Sequence, residues 1–121
     1  MNKILYFTTA QDSISFCNEL KHYLKSPNLS NQNFHNKLIR CLSITHEINV
    51  ISNRPISNYH KTFLDKKTYS EKNITWHYLK VSTSKFDKYF NINKRVNEIV
   101  KNIDMTNTTI FVDVLNLSLF L

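Results

Sequence analysis

The residues of this chain best suited to chemistry fall into four short groups. The first is Asn31, Gln32, Asn33, Phe34 and His35, the run NQNFH. It gathers amide donors and acceptors and an imidazole at the start of a predicted helix, where unpaired backbone amides and the positive end of the helix dipole also point. Such a cluster suits a hydroxyl-rich or anionic ligand. The alternative is capping of the helix by Asn31, with Gln32 and Asn33 solvated. The second group is Thr9, Gln11 and Asp12, in the polar turn after the first apolar run. The third is Arg54 in SNRPIS, a guanidinium able to hold a phosphate or carboxylate, or else a solvated loop arginine. The fourth is Asp113 with Asn116, in DVLN. An aspartate within an apolar strand needs hydrogen-bond partners or a cleft, and capping of a neighbouring loop is its other role.

Several chemistries are excluded by composition. The chain has no glycine. A dinucleotide fingerprint and a P-loop both need glycine so that the backbone can approach a phosphate, so neither is present. No serine sits on a glycine-flanked elbow. Of the histidines, His22, His46 and His60 read as surface or turn residues and His77 as a strand residue, leaving His35 beside the ligand edge. Cys17 and Cys41 each fall on the apolar face of a predicted helix, which reads as two buried reduced thiols. No CxxC or Cys/His cluster supports a metal.

The elements that must position these groups follow from hydropathy. KILYFT at residues 3–8 is apolar without alternation, as in a strand covered on both faces. Ser13 is placed to cap a helix over 14–24, with Phe16, Cys17, Leu20 and Leu24 on one stripe. A second helix is predicted over 32–44, with Phe34, Leu38, Cys41, Leu42 and Thr45 on the helical period. Residues 48–52 form a second strand that ends before Pro55. Residues 57–73 read as a long polar loop with one helical turn near 59–64. TWHYLKV at 75–81 is a third strand, and KFDKY at 85–89 lies in a linker. Ile92, Val96, Ile99, Val100 and Ile103 mark a helix over 92–103. Residues 108–115 are a fourth strand. Strands alternating with helices argue for a parallel, right-handed wound α/β sheet, which binds ligands at the carboxyl edge of its strands.

At 121 residues the chain is one domain at most. Its formal net charge is +7, yet its wealth of Asn, Lys and Ile matches AT-rich codons, which weakens a nucleic-acid reading. There is no apolar span of about 20 residues to cross a membrane. The first residues lack a secretory cleavage pattern, which implies a cytoplasmic location.

KILYFTTA, SNQNFHNKLIRCLS, EINVISNRPIS and TIFVDVLN, in that order, resemble the N-terminal domain of family 4 glycosyltransferases of the GT-B type. The resemblance implies about four strands of a Rossmann-like parallel sheet with helices on both faces. It implies an acceptor-side role, with transfer of a sugar from a nucleotide-sugar to a hydroxyl with retention, in cell-surface polysaccharide or glycolipid synthesis. By position, the 8–12 loop, the NQNF segment, Arg54 and the Asp113/Asn116 pair would border a sugar or glycolipid acceptor. No metal or cofactor is implied, because the nucleotide-sugar belongs to a second, missing domain. The family's donor-side glutamate pair and the glycines after strand one have no counterpart here. Residues 1–121 are therefore expected to be a partial domain, inactive alone, with apolar surface exposed near its end. The competing reading is a non-catalytic basic α/β module that docks on a protein or on the inner membrane surface.

Overall fold

The computed structural model describes residues 2–19, 29–53, 68–79 and 92–113. The strands are β1 (Asn2–Thr8), β2 (His46–Ser52), β3 (Thr68–Glu71), β4 (Ile74–Tyr78) and β5 (Thr108–Val112). The helices are α1 (Ser13–Glu19), α2 (Leu29–Leu42) and α3 (Ile92–Val100). The strands form one five-stranded sheet in the order β3-β4-β2-β1-β5. β1 pairs in parallel with both β2 and β5, and β2 pairs in parallel with β4. The fold is α/β with a mixed, mostly parallel sheet.

The expectation of about four strands, all parallel, is corrected at one edge. Residues 68–71, read as loop, form β3 and pair antiparallel with β4 through a two-residue turn. Lys72 takes φ 46° in that turn, a conformation that usually calls on glycine and that this glycine-free chain must give to another residue. TYSE has little hydrophobic content, so its pairing was not visible in hydropathy. Arg54, the proposed turn near 59–64, the KFDKY linker, Leu20, Leu24 and Asn116 lie outside the described residues.

Strand alternation sorts the core into two layers. Ile4 and Tyr6 of β1, Ile48 and Val50 of β2, and Ile74, Trp76 and Tyr78 of β4 pack with Ile39 of α2. On the other face Leu5, Ile51 and Leu79 meet Val96, Ile99 and Val100 of α3, with Ile103 just beyond it. Val96, Ile99, Val100 and Ile103 of the predicted stripe are thus half-buried against the sheet. β5 is less well covered: Ile110 is 55% and Phe111 38% exposed.

Helix α2 departs from its predicted register. It begins at Leu29, so NQNFH lies within its first two turns and Asn31 is not its cap. Its buried residues are Gln32, His35, Asn36 and Ile39. Phe34 is 61% exposed and Cys41 is exposed. Three polar side chains turn inward because they hydrogen-bond across the sheet edge, and that outweighs burial of the apolar stripe. Cys17 is exposed too, so neither thiol is buried as expected.

His77 Nε2–H donates to Asn49 Oδ1 at 2.9 Å across the β2–β4 ladder. Burial lowers its pKa from the ordinary 6.5. The unfolded chain then binds a proton here that the folded chain refuses. The stabilisation is fully present above 6.5 and is lost as pH falls through the lower folded value. Urea midpoints measured on both sides of that window should fall on the acid side. His77→Gln, which keeps a partner for Asn49, should flatten that part of the profile, and an unchanged profile would contradict the assignment.

Candidate functional site

The turn after β1 is the part of the sheet edge that the sequence has most elaborately secured. Without glycine, its backbone is held by side chains from four elements. Thr8 Oγ1 accepts the Ala10 N–H at 3.1 Å, and Ser52 Oγ donates to the Ala10 carbonyl at 2.5 Å. The Gln32 amide clamps Gln11, accepting its N–H at 2.9 Å and donating to its carbonyl at 2.6 Å. Asn36 Nδ2 donates to the same carbonyl at 2.7 Å. Ser13 Oγ donates to Asn36 Oδ1 at 2.9 Å, and Asn31 Nδ2 donates to Thr9 Oγ1 at 3.3 Å.

Asp12, and not Ser13, caps α1. Its Oδ2 accepts the Ser15 N–H at 2.9 Å, and its carbonyl accepts the Phe16 N–H at 2.9 Å. Its other carboxylate oxygen accepts the Tyr78 hydroxyl, whose oxygen in turn accepts the Asp12 N–H at 2.8 Å. An aspartate at an N-cap supplies the acceptor that the first-turn amides lack.

Beside this turn, at the adjacent carboxyl ends of β1 and β5, three other side chains form a line. Tyr6 Oη lies 2.5 Å from His35 Nδ1, and His35 Nε2 lies 3.0 Å from Asp113 Oδ2. Thr8 Oγ1 reaches the same carboxylate oxygen at 3.4 Å. A carboxylate can only accept, so Nε2 carries a proton towards Asp113, and Nδ1 shares the second hydrogen bond with the Tyr6 hydroxyl. Burial, followed by the nearby Asp113 charge, pushes the Tyr6 pKa up to about 12, so the residue remains a phenol. His35 and Asp113 are buried, with side chains 10% and 2% exposed.

This line forms the polar end of an open groove of about 490 Å³. Phe34, Leu38, Phe111 and Val112 supply its apolar walls, with Tyr6, Asn31, His35 and Asp113 completing it. Tyr6 stacks on Phe111 with ring centroids 6.0 Å apart and planes 11° apart. Phe34 meets His35 edge-on at 5.1 Å and 84°. The parallel strand order reverses between β1 and β5, and open α/β sheets bind ligands in the crevice at such a reversal.

The candidate residues thus separate into two sets. Asn31, Phe34, His35 and Asp113 come together around the groove. Thr9, Gln11, Asp12 and Gln32 belong to the secured turn, and Asn33 is exposed on α2. Arg54 and Asn116 lie outside the described residues. Tyr6, Leu38, Phe111 and Val112 were missed as site residues, whereas Thr8 belongs to the 8–12 loop that was expected there. Strand parity offered a signal for the first, because Tyr6 shares a face with Thr8 one step from the strand end.

No described group of His, Cys, Asp and Glu could hold a metal ion, and no described helix is long and apolar enough to cross a membrane. No protein-family model, curated protein or solved structure matches the chain.

Proposed function

We propose that the groove lined by α2 and by the ends of β1 and β5 is the acceptor site of a sugar-transferring enzyme. On this reading, residues 1–121 are an incomplete, Rossmann-like, acceptor-side portion of a GT-B glycosyltransferase. One observation carries the reading: the Tyr6–His35–Asp113 line ends a groove walled by Phe34 and Phe111 where the strand order reverses. A sugar ring has an apolar C–H face and a polar rim of hydroxyls. Aromatic walls suit the first, and a short series of hydrogen-bonding groups at one end suits the second. The nucleotide-sugar would be held by a further domain, and the family resemblance implies transfer with retention. The pathway implied is cell-surface polysaccharide or glycolipid synthesis.

Chemical-shift titration of the chain tests this. A neutral methyl hexopyranoside should shift resonances of Tyr6, Phe34, His35 and Phe111, while a nucleoside diphosphate sugar should leave them in place. Phe34→Ala should weaken sugar binding about tenfold through lost ring contact. It should leave the melting temperature nearly unchanged, because the side chain is mostly exposed. Tight binding of the nucleotide-sugar with no response to the neutral sugar would overturn the assignment.

The exposed Ile110 and Phe111 on β5, together with the +7 charge, favour a second reading: a non-catalytic module docking on a partner or an anionic surface. That module predicts no sugar response in the same titration.

A further inference from the structure

We infer that the groove takes its acceptor by an aromatic ring, so that its ligand is an aryl-bearing hydroxyl compound in preference to a bare saccharide. This inference rests on the acceptor-site reading and names the substrate class of that site.

The character of the walls carries it. Six large apolar residues are exposed among the described residues, and two of them, Phe34 at 61% and Phe111 at 38%, are aromatic. Both line this groove, whereas the aliphatic four, Ile14, Leu29, Ile44 and Ile110, do not. Each exposed ring also rests on a buried one. Phe111 lies parallel to Tyr6 with centroids 6.0 Å apart, and Phe34 meets His35 edge-on at 5.1 Å. Tyr6 is 3% exposed and His35 8%, so both phenyl rings lie against packed side chains. Rings already oriented lose little rotational freedom when a ligand arrives. Aromatic rings attract one another in offset-stacked and edge-to-face arrangements beyond the area they bury. An aliphatic wall offers no such preference.

The polar end asks for little. Tyr6, His35 and Asp113 already hydrogen-bond one another, and Thr8 reaches Asp113. A saccharide buried there with all its hydroxyls would lose more hydrogen bonds to water than the groove returns. A single hydroxyl is a different matter. Whichever of Tyr6 and His35 holds their shared proton, the Tyr6 oxygen keeps a hydrogen-bonding position, a lone pair in one case and its own proton in the other. A ligand hydroxyl both donates and accepts, so it meets either. The volume of about 490 Å³ is in the range of small-molecule sites.

The test uses the full 121-residue chain and glycosides of one hexopyranose with methyl, cyclohexyl and phenyl aglycones. Affinities come from chemical-shift titration at one pH. The phenyl glycoside should bind about tenfold more tightly than the methyl one, because its ring is buried against the walls. It should also bind about fivefold more tightly than the cyclohexyl one. The saturated ring is the more hydrophobic of the two, so burial alone would reverse that order. Phe111→Leu and Phe34→Leu keep apolar walls and remove the aromatic faces. Each should bring the phenyl and cyclohexyl affinities to within about twofold of each other. The exposed position of Phe34 keeps its variant folded. Cyclohexyl binding as tight as phenyl, or methyl binding as tight as both, overturns the inference and leaves the acceptor site standing. A phenyl preference that survives both substitutions overturns it too, since the preference then arises elsewhere on the chain. If none of the glycosides binds, the acceptor-site reading falls, and this substrate class with it.

Discussion

Trp76→Ala is expected to remove about 4 kcal/mol of folding stability, a large share of what a domain of this size has. Trp76 is the chain's one tryptophan and is 1% exposed, in the centre of the layer between the sheet and α2. Its ring stacks on Tyr78 with centroids 6.3 Å apart and planes 11° apart. Alanine loses that contact and leaves a cavity that β-strand neighbours on both sides prevent from collapsing. Trp76→Phe should cost far less, about 1 kcal/mol. Phenylalanine keeps most of the buried ring, and it also removes an indole N–H that has no hydrogen-bond partner among the described residues. Burying such a donor unpaired costs about 1–3 kcal/mol, which offsets much of the lost area. Urea unfolding followed by circular dichroism gives both values without relying on tryptophan emission. A loss for Trp76→Phe well above about 1 kcal/mol would show that the indole N–H is satisfied.

Gln32→Ala is expected to cost about 3 kcal/mol, nearly as much, although Gln32 is polar and lies on a helix. Both ends of its amide are committed to the Gln11 backbone, at 2.9 and 2.6 Å, and the residue is 6% exposed. Alanine removes one acceptor and one donor from a site that water reaches poorly. Gln32→Glu separates the two contributions. A carboxylate still accepts the Gln11 N–H but opposes the carbonyl, so the loss at neutral pH should be similar. As pH falls towards the ordinary glutamate value of about 4.3, protonation restores the donor and part of the loss should be recovered. Gln32→Ala and Asn36→Ala should not add, because both residues donate to the same Gln11 carbonyl. Sugar binding should weaken in Gln32→Ala even though the residue does not line the groove, because the turn it secures follows directly on Tyr6 and Thr8.

Much of the α/β layout was legible in hydropathy. The unbroken run ILYF marked a strand covered on both faces, and β1 packs Ile4 and Tyr6 into one layer and Leu5 into the other. Ile99 and Val100, i and i+1 on a strict helical stripe with Val96 and Ile103, pack where that stripe pointed. β3 was not legible, because Thr68, Tyr69, Ser70 and Glu71 bury too little to leave a periodic mark. An edge strand needs only one partner and can remain polar. The face of α2 was misjudged for a related reason. Counting Phe34 and Cys41 as inward assumes that burial of apolar surface decides the helix rotation, whereas Gln32 and Asn36 face inward because Gln11 gives them hydrogen bonds. The candidate site was legible at His35 and Asp113, whose residue types are costly to leave among apolar neighbours. Tyr6 was hidden inside a strand where an aromatic residue needs no explanation.

Composition and order along the chain dictated that there would be wound strands and helices, that no glycine loop would cradle a phosphate, and that the turn after β1 would need other means of support. These are local properties, set by residues within a few positions of one another. Folding alone decided that Tyr6 would meet His35, 29 residues away, and that Thr8 would share a carboxylate oxygen with Asp113, 105 residues away. Those meetings depend on which strands become neighbours, and placing β5 beside β1 is a choice made by the whole sheet as it buries both faces.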